Sequence, residues 1–249
     1  MKLEKSSILI TGGANGIGQG IVKRLIQEGC IVSVIDKDEE ALRRLAKEHP
    51  EITYAVCDLT QFDQVVVAVN SIIQQVQVIH GLINNAGIIK NSPLINLLAK
   101  ENKTHSVQLW HDVIATNLTS VFYVTVNIAE HMIAMRTRGV IVNICSISAN
   151  GNAGQTAYSA AKAGVIGMSR TWAKELGPMG IRCVPISPGF VDTPSTSAAL
   201  SESVIEHVVK STPNRRLGDV TEIADAVVFS LTNDFYNGKL MEIDGGLVY

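Results

Sequence analysis

The chain has 249 residues, 46% of them hydrophobic, and its 23 acidic and 21 basic side chains leave a formal net charge of −2. Without a block of clustered lysine and arginine, nucleic acid is excluded as the principal partner, because binding a phosphate backbone draws on grouped cations. No run in the sequence is apolar enough to span a bilayer, and only a few polar residues precede the first apolar run, so a cytoplasmic protein of one domain over 1–249, with no membrane partner, is expected.

Val- and Ile-rich runs near 6–11, 30–35, 52–57, 79–83, 139–144, 180–185 and 239–243 alternate with longer amphipathic stretches. Such alternation predicts an α/β fold: a doubly wound, seven-stranded, mostly parallel sheet of Rossmann type with helices on both faces. The first run, Ile8-Leu9-Ile10-Thr11, enters Gly12-Gly13-Ala14-Asn15-Gly16-Ile17-Gly18. Gly12 permits a tight turn, Gly16 leaves room for a pyrophosphate, and Gly18 lets the next helix pack close to the strand. Asn15 and Ile17 fall on the same turn, where a helix start offers unpaired amides to an anion.

The second strand ends in Asp36, about twenty residues past the glycines, where a ribose-binding acid belongs. Its carboxylate is expected to accept from the adenosine ribose hydroxyls and to repel a 2′-phosphate, which favours NAD over NADP. Lys37 softens that preference, and the competing reading is that Asp36 serves only to cap the helix of Asp38 to Glu48. Asp58 and Leu59 follow the third strand, and Asn85, Ala86 and Gly87 follow the fourth. On the binding edge of a parallel sheet, Asp58 is placed for the adenine amino group and the Asn-Ala-Gly turn for a ribose, although turn chemistry alone accounts for either set.

Cys30, Cys57, Cys145 and Cys183 form no Cys-x-x-Cys pair and read as reduced core thiols; the six histidines lack ligand spacing, so no metal is expected. In Tyr158-Ser159-Ala160-Ala161-Lys162 the i, i+4 spacing puts a phenol and an ammonium on one helix face. Alone, such a pair is an ordinary amphipathic surface pair. Beside an oxidised nicotinamide, the lysine and the ring are expected to lower the phenol from its usual pKa of about 10 and make it a proton donor and acceptor.

Taken together, Thr11-Gly12-x3-Gly16-x-Gly18, Asn84-Asn85-Ala86-Gly87, Asn117, Ser146, Tyr158-x3-Lys162 and Pro188-Gly189-Phe190-Val191-Asp192-Thr193 resemble the short-chain dehydrogenase/reductase family over essentially the whole chain. The resemblance implies that Tyr158 is the catalytic acid/base and that Ser146 hydrogen-bonds the substrate oxygen. It implies that Lys162 binds the nicotinamide ribose and that Asn117 holds a water of a proton relay. It implies that Tyr158, Pro188 and Gly189 also contact the cofactor, that Val191 and Thr193 position the nicotinamide carboxamide, and that the chain is a homotetramer or homodimer joined through the helices of Asn117 and Tyr158 and the strand Leu240 to Ile243. The plainer readings are that Ser146 caps a strand end and that Asn117 is a buried amide bonded to backbone.

Two departures from the family pattern stand out. The serine usually lies thirteen positions before the tyrosine, which lands on Cys145; Ser146 fits if the loop Asn150 to Gln155 is one residue shorter, with Ser148 as a weaker substitute. The stretch Ile88 to Trp110 is long, and its middle, Ala99 to His105, reads as a polar surface insertion, either contacting substrate or a subunit or without a role. The segment Pro194 to Thr212 reads as a lid. From these readings an NAD(H)-linked dehydrogenase of a small secondary alcohol or ketone ranks first. An NADPH-linked 3-oxoacyl-thioester (acyl carrier protein) reductase ranks second, and a non-catalytic dinucleotide sensor third.

Overall fold

The computed structural model describes residues 1–194, 196 and 200–247. Seven strands alternate with helices: β1 (Ser7–Thr11), α1 (Gly16–Gln27), β2 (Ile31–Asp36), α2 (Glu39–Glu48), β3 (Thr53–Val56), α3 (Phe62–Val76), β4 (Gly81–Asn84), α4 (Val107–Ile114), α5 (Ser120–Ala134), β5 (Val140–Ile144), α6 (Thr156–Leu176), β6 (Arg182–Pro188), α7 (Glu202–Ser211), α8 (Val220–Thr232) and β7 (Met241–Ile243). All pairings are parallel, in the order β3-β2-β1-β4-β5-β6-β7. The direction of winding reverses between β1 and β4, and the crevice outside the carboxyl ends of those strands is where such sheets bind ligands.

Strand β1 shows why the apolar runs are continuous rather than alternating. Ile8 and Ile10 pack on one face with Ile21 and Leu25 of α1 and Val227 and Leu231 of α8, while Leu9 packs on the other with Val69 and Ile72 of α3 and Val124 and Ile128 of α5. Burying a side chain of this size contributes about 1.5–3 kcal/mol, so covering both faces stabilises the strand twice over. At the far edge, buried Arg182 donates to the carbonyls of Ser230, Leu231 and Tyr236, satisfying the end of α8 where helical partners run out.

Helices α4 and α5 form one rod interrupted by a π-helical turn, Ala115–Thr119. Its continuous apolar face hides that extra residue from periodicity. Of the stretch 88–110, residues 107–110 belong to α4; its polar middle, 99–105, is exposed or half-buried, and Leu94, Leu97 and Leu98 stand 66%, 81% and 96% exposed ahead of it. A backbone bridge between Ile95 and Thr104 closes it as a hairpin. Of the lid expected over 194–212, Ser195 and residues 197–199 lie outside the described residues, and α7 supplies the rest. The four cysteines are free and buried. Among the described residues no group of His, Cys, Asp or Glu is arranged to hold a metal, and no helix is long and apolar enough to cross a membrane.

Candidate active site

A cavity of about 620 Å³ runs along the carboxyl edge of the sheet. Of the residues singled out from sequence, Gly12, Asn15, Gly16, Ile17, Asp36, Asp58, Leu59, Asn85, Ala86, Gly87, Ser146, Tyr158, Lys162, Pro188, Gly189, Val191 and Thr193 line it; Gly18 and Asn117 do not.

One half is made of turns. Gly12 has φ +64°, and a Cβ there would fall 2.6 Å from the Ala86 Cα, so a side chain is excluded both by conformation and by space. Gly18 faces the turn rather than the cavity: its Cβ would lie 2.0 Å from the Gly12 carbonyl oxygen, which is the close helix-to-strand packing expected of it. At Gly16 the same test meets open space. The turn is pinned to β4 by Asn85, whose side-chain amide donates to the Thr11 and Gly12 carbonyls, while its backbone N–H donates to the Thr11 hydroxyl.

Helix α1 starts at this turn with no side-chain cap and no acid in its first turn. By contrast α2 is capped by Asp38 and α8 by a reciprocal Asp219–Glu222 box. The amides and positive dipole end of α1 therefore remain available to an anion. Asp36 is not the cap of α2: its carboxylate accepts from the N–H groups of Ala14 and Asp38, which holds it at the tip of β2 beside the glycine turn. One oxygen of Asp58, which lines the cavity, is taken by the N–H and hydroxyl of Thr60 in a local turn.

The other half is made of side chains. Tyr158 and Lys162 sit one turn apart at the start of α6, 8% and 4% exposed, with the ammonium 5.7 Å from the phenol ring centre. Lys162 donates to the Ile144 carbonyl at 2.8 Å. Burial pushes the Tyr158 phenol up to about 12, against the pull of the neighbouring Ser146 hydroxyl, and burial lowers Lys162. In the protein by itself, desolvation thus outweighs the expected lowering of the phenol by Lys162. Ser146 does cap a turn, accepting from the Ser148 N–H at 3.1 Å, and it also faces Tyr158. Cys145 Sγ instead lies against the Asn143 carbonyl.

Asn117 is wholly buried in the π turn. Its amide donates to the Ile88 and Val113 carbonyls and accepts from the Ile88 N–H, so its side chain fixes the backbone just after Gly87 rather than entering the cavity. A π turn in this position is a common companion of functional sites. Several lining residues escape sequence reading, among them Lys90, Thr116 and Gln155, whereas Ser148, the weaker serine candidate, does line the cavity. Lys90 and Gln155 stand in loops and Thr116 in the π turn, where no period marks a residue as facing the cavity.

An elongated cavity with an uncapped helix start, space at Gly16 and a carboxylate at the β2 tip fits a dinucleotide, and the adjoining phenol, hydroxyl and ammonium fit a group that accepts or yields a proton at oxygen. Fold and site together define an oxidoreductase that uses a nicotinamide cofactor on hydroxyl or keto groups.

The comparisons agree. The profile of the short chain dehydrogenase family matches residues 6–203. The 3-oxoacyl-(acyl-carrier-protein) reductase FabG of Thermotoga maritima is 38% identical over 255 residues, covering 100% of both chains. The (3R)-3-hydroxyacyl-CoA dehydrogenase of Canis lupus familiaris is 34% identical over 262 residues, covering 99% of this chain and 98% of that one. The crystal structure of levodione reductase superposes with a TM-score of 0.89 at 30% identity, covering 98% of this chain and 97% of that one. The chain belongs to the short-chain dehydrogenase family.

Proposed function

We propose that the protein exchanges hydride between NAD(H) and the C3 position of a 3-oxoacyl or 3-hydroxyacyl thioester. The observation that carries the reaction type is the cluster of buried Tyr158 and Lys162 with half-buried Ser146 at one end of the cavity. The thioester is supported by the names of the relatives, which favour the second-ranked reading from sequence over a generic secondary alcohol. NAD(H) rather than NADP(H) is supported by Asp36, because a carboxylate held at the ribose end disfavours a second phosphate there.

When bound, the nicotinamide dinucleotide supplies or takes up hydride. The glycine turn and the α1 amides bind its pyrophosphate, Asp36 its adenosine ribose, Lys162 its nicotinamide ribose, and Val191 and Thr193 its carboxamide. Ser146 donates to the substrate oxygen and holds it beside the Tyr158 hydroxyl. In the reducing direction Tyr158 gives its proton to that oxygen as the carbonyl carbon becomes tetrahedral; in the oxidising direction it takes the proton back. Asn117 acts by fixing the Ile88 backbone just after Gly87; its expected role in holding a water of a proton relay toward Lys162 is part of this proposal. On α5, Phe122, Val126 and Ile133 present an apolar face 46%, 43% and 42% exposed, which supports association into a dimer or tetramer, read by light scattering.

The test pairs NADH and NADPH titrations with turnover of acetoacetyl-CoA. Tighter NADH and measurable reduction are expected. Tighter NADPH removes the cofactor assignment, and turnover of simple ketones without the thioester removes the substrate assignment.

A further inference from the structure

Three lysines line the cavity: Lys37, Lys90 and Lys162. Lys37 follows Asp36 at the adenosine end, and Lys162 is buried and donates to a carbonyl. Lys90 is the remaining cation, and it belongs to the catalytic half. Its neighbour Asn91 accepts from the Gln155 side-chain amide at 3.0 Å, and Ser92 donates its N–H to the Gly154 carbonyl at 2.7 Å, which ties this segment to the loop just before Tyr158. Both carboxylates among the described lining residues, Asp36 and Asp58, lie at the opposite end, on the tips of β2 and β3.

Lys90 is only loosely engaged. Its ammonium lies 3.4 Å from Asp112, with the two side chains 49% and 38% exposed, and the other oxygen of Asp112 is held by Gln108 at 2.8 Å. Charge-assisted N–H to carboxylate bonds are ordinarily about 2.7–2.9 Å, so the pair is long and exchangeable. The rest of the wall beside the catalytic group is apolar or neutral: Ile88, Ile89, Ile147 and Phe190 with Ser148 and Gln155. We infer that Lys90 recognises an anionic oxygen group of the substrate, a carboxylate or a phosphate, as the reacting carbon lies against Tyr158. This rests on the reading above that the catalytic half receives a carbonyl or alcohol, and it adds that the substrate carries negative charge beyond the reacting carbon.

The experiment uses the protein loaded with NADH. Calorimetric titration with acetoacetyl-CoA, acetoacetate and the uncharged pentane-2,4-dione is run on the wild type, Lys90→Gln and Lys90→Arg. The glutamine variant is expected to bind a charged probe about tenfold more weakly, the scale of one hydrogen bond to a charged group. Binding of the neutral dione is expected to be unchanged, and arginine is expected to restore most of the loss. Loss confined to acetoacetyl-CoA assigns the contact to phosphate, and loss with acetoacetate assigns it to carboxylate. In steady state, KM for the affected probe rises while kcat holds. Equal weakening of the neutral dione, no weakening of either charged probe, or no binding of a charged probe to the wild type overturns the inference. Absence of turnover with every probe removes the proposed function, while the ratio of binding constants still decides the role of Lys90.

Discussion

At the dinucleotide end of the cavity the walls are main chain: a left-handed Gly12, a Gly18 pressed on the Gly12 carbonyl, an uncapped helix start and an Asn85 side chain that fastens the turn to β4. At the substrate end they are side chains carried by α6, by the segment after β5, and by stretches without regular structure after β4 and β6. A backbone site admits few residues at each position, since a single Cβ fills it, whereas a side-chain site on loops can be rebuilt without disturbing the sheet. How each end is made thus leaves the substrate end the freer of the two to change.

The sharpest way to separate the two ends is Tyr158→Phe. Turnover is expected to fall about 100- to 10,000-fold, the range for loss of a positioned acid/base, while NADH affinity by fluorescence titration stays within about twofold, since the ring, Lys162 and the glycine turn are all kept. Loss of NADH binding in this variant would show that the ends act as one unit. Next in size, Gly18→Ala forces a methyl to within 2.0 Å of a backbone oxygen. Urea denaturation is expected to show a loss of about 1–3 kcal/mol, the scale of overpacking, together with weaker NADH binding. A neutral result would mean that α1 can retreat and that the cradle is softer than its geometry.

A smaller effect sharpens the dinucleotide end alone. Asp36→Asn removes charge but keeps the acceptor toward Ala14, and the ratio of NADH to NADPH affinity is expected to move about tenfold toward NADPH, the scale of one exposed charge beside a phosphate. An unchanged ratio would place the discrimination elsewhere. The smallest effect is global. Cys30 and Cys57 are pushed up to about 11, and Cys145, Cys183 and Tyr158 to about 12, from 9.0 for the thiols and 10.0 for the phenol. These acids stay neutral longer in the folded chain, so their contribution to stability is intact below pH about 9 and is lost as pH rises through about 11–12. Lys162 and Arg182, lowered by burial, have the opposite sign, but these two bases are outnumbered by the five acids above together with Tyr236, which burial also raises. Melting temperature is expected to be level near neutrality and to decline above pH about 9; a rise there would contradict the burial of these groups.

Much of the fold was legible because the strands are short, β-branched and buried on both faces, so their runs stand out against the helices: β1, β2 and β5 lie within a residue or two of their expected limits. The glycine turn was legible for a related reason, as geometry leaves no alternative residue. The π turn was not, because Val113, Val121 and Val124 are buried whether or not a residue is inserted between them. Lys90 and Gln155 were missed since loop residues carry no period, and Cys145 was read as a core thiol although it is both buried and part of the cavity wall. The raised pKa of Tyr158 in the protein by itself was not legible, because spacing shows the lysine and conceals the burial. Tyr158 and Lys162 themselves were visible from a spacing that only context distinguishes from an ordinary surface pair.

Two of the thiols happen to mark the two ends. Cys57 closes the wall at the adenosine end and Cys145 at the catalytic end, 2% and 3% exposed. Only an exposed thiolate reacts with an alkylating reagent, so each sulfur stays silent until its own surroundings open. The order in which the two are labelled during slow exchange therefore times the local breathing of the molecule, and a bound dinucleotide should delay one clock more than the other.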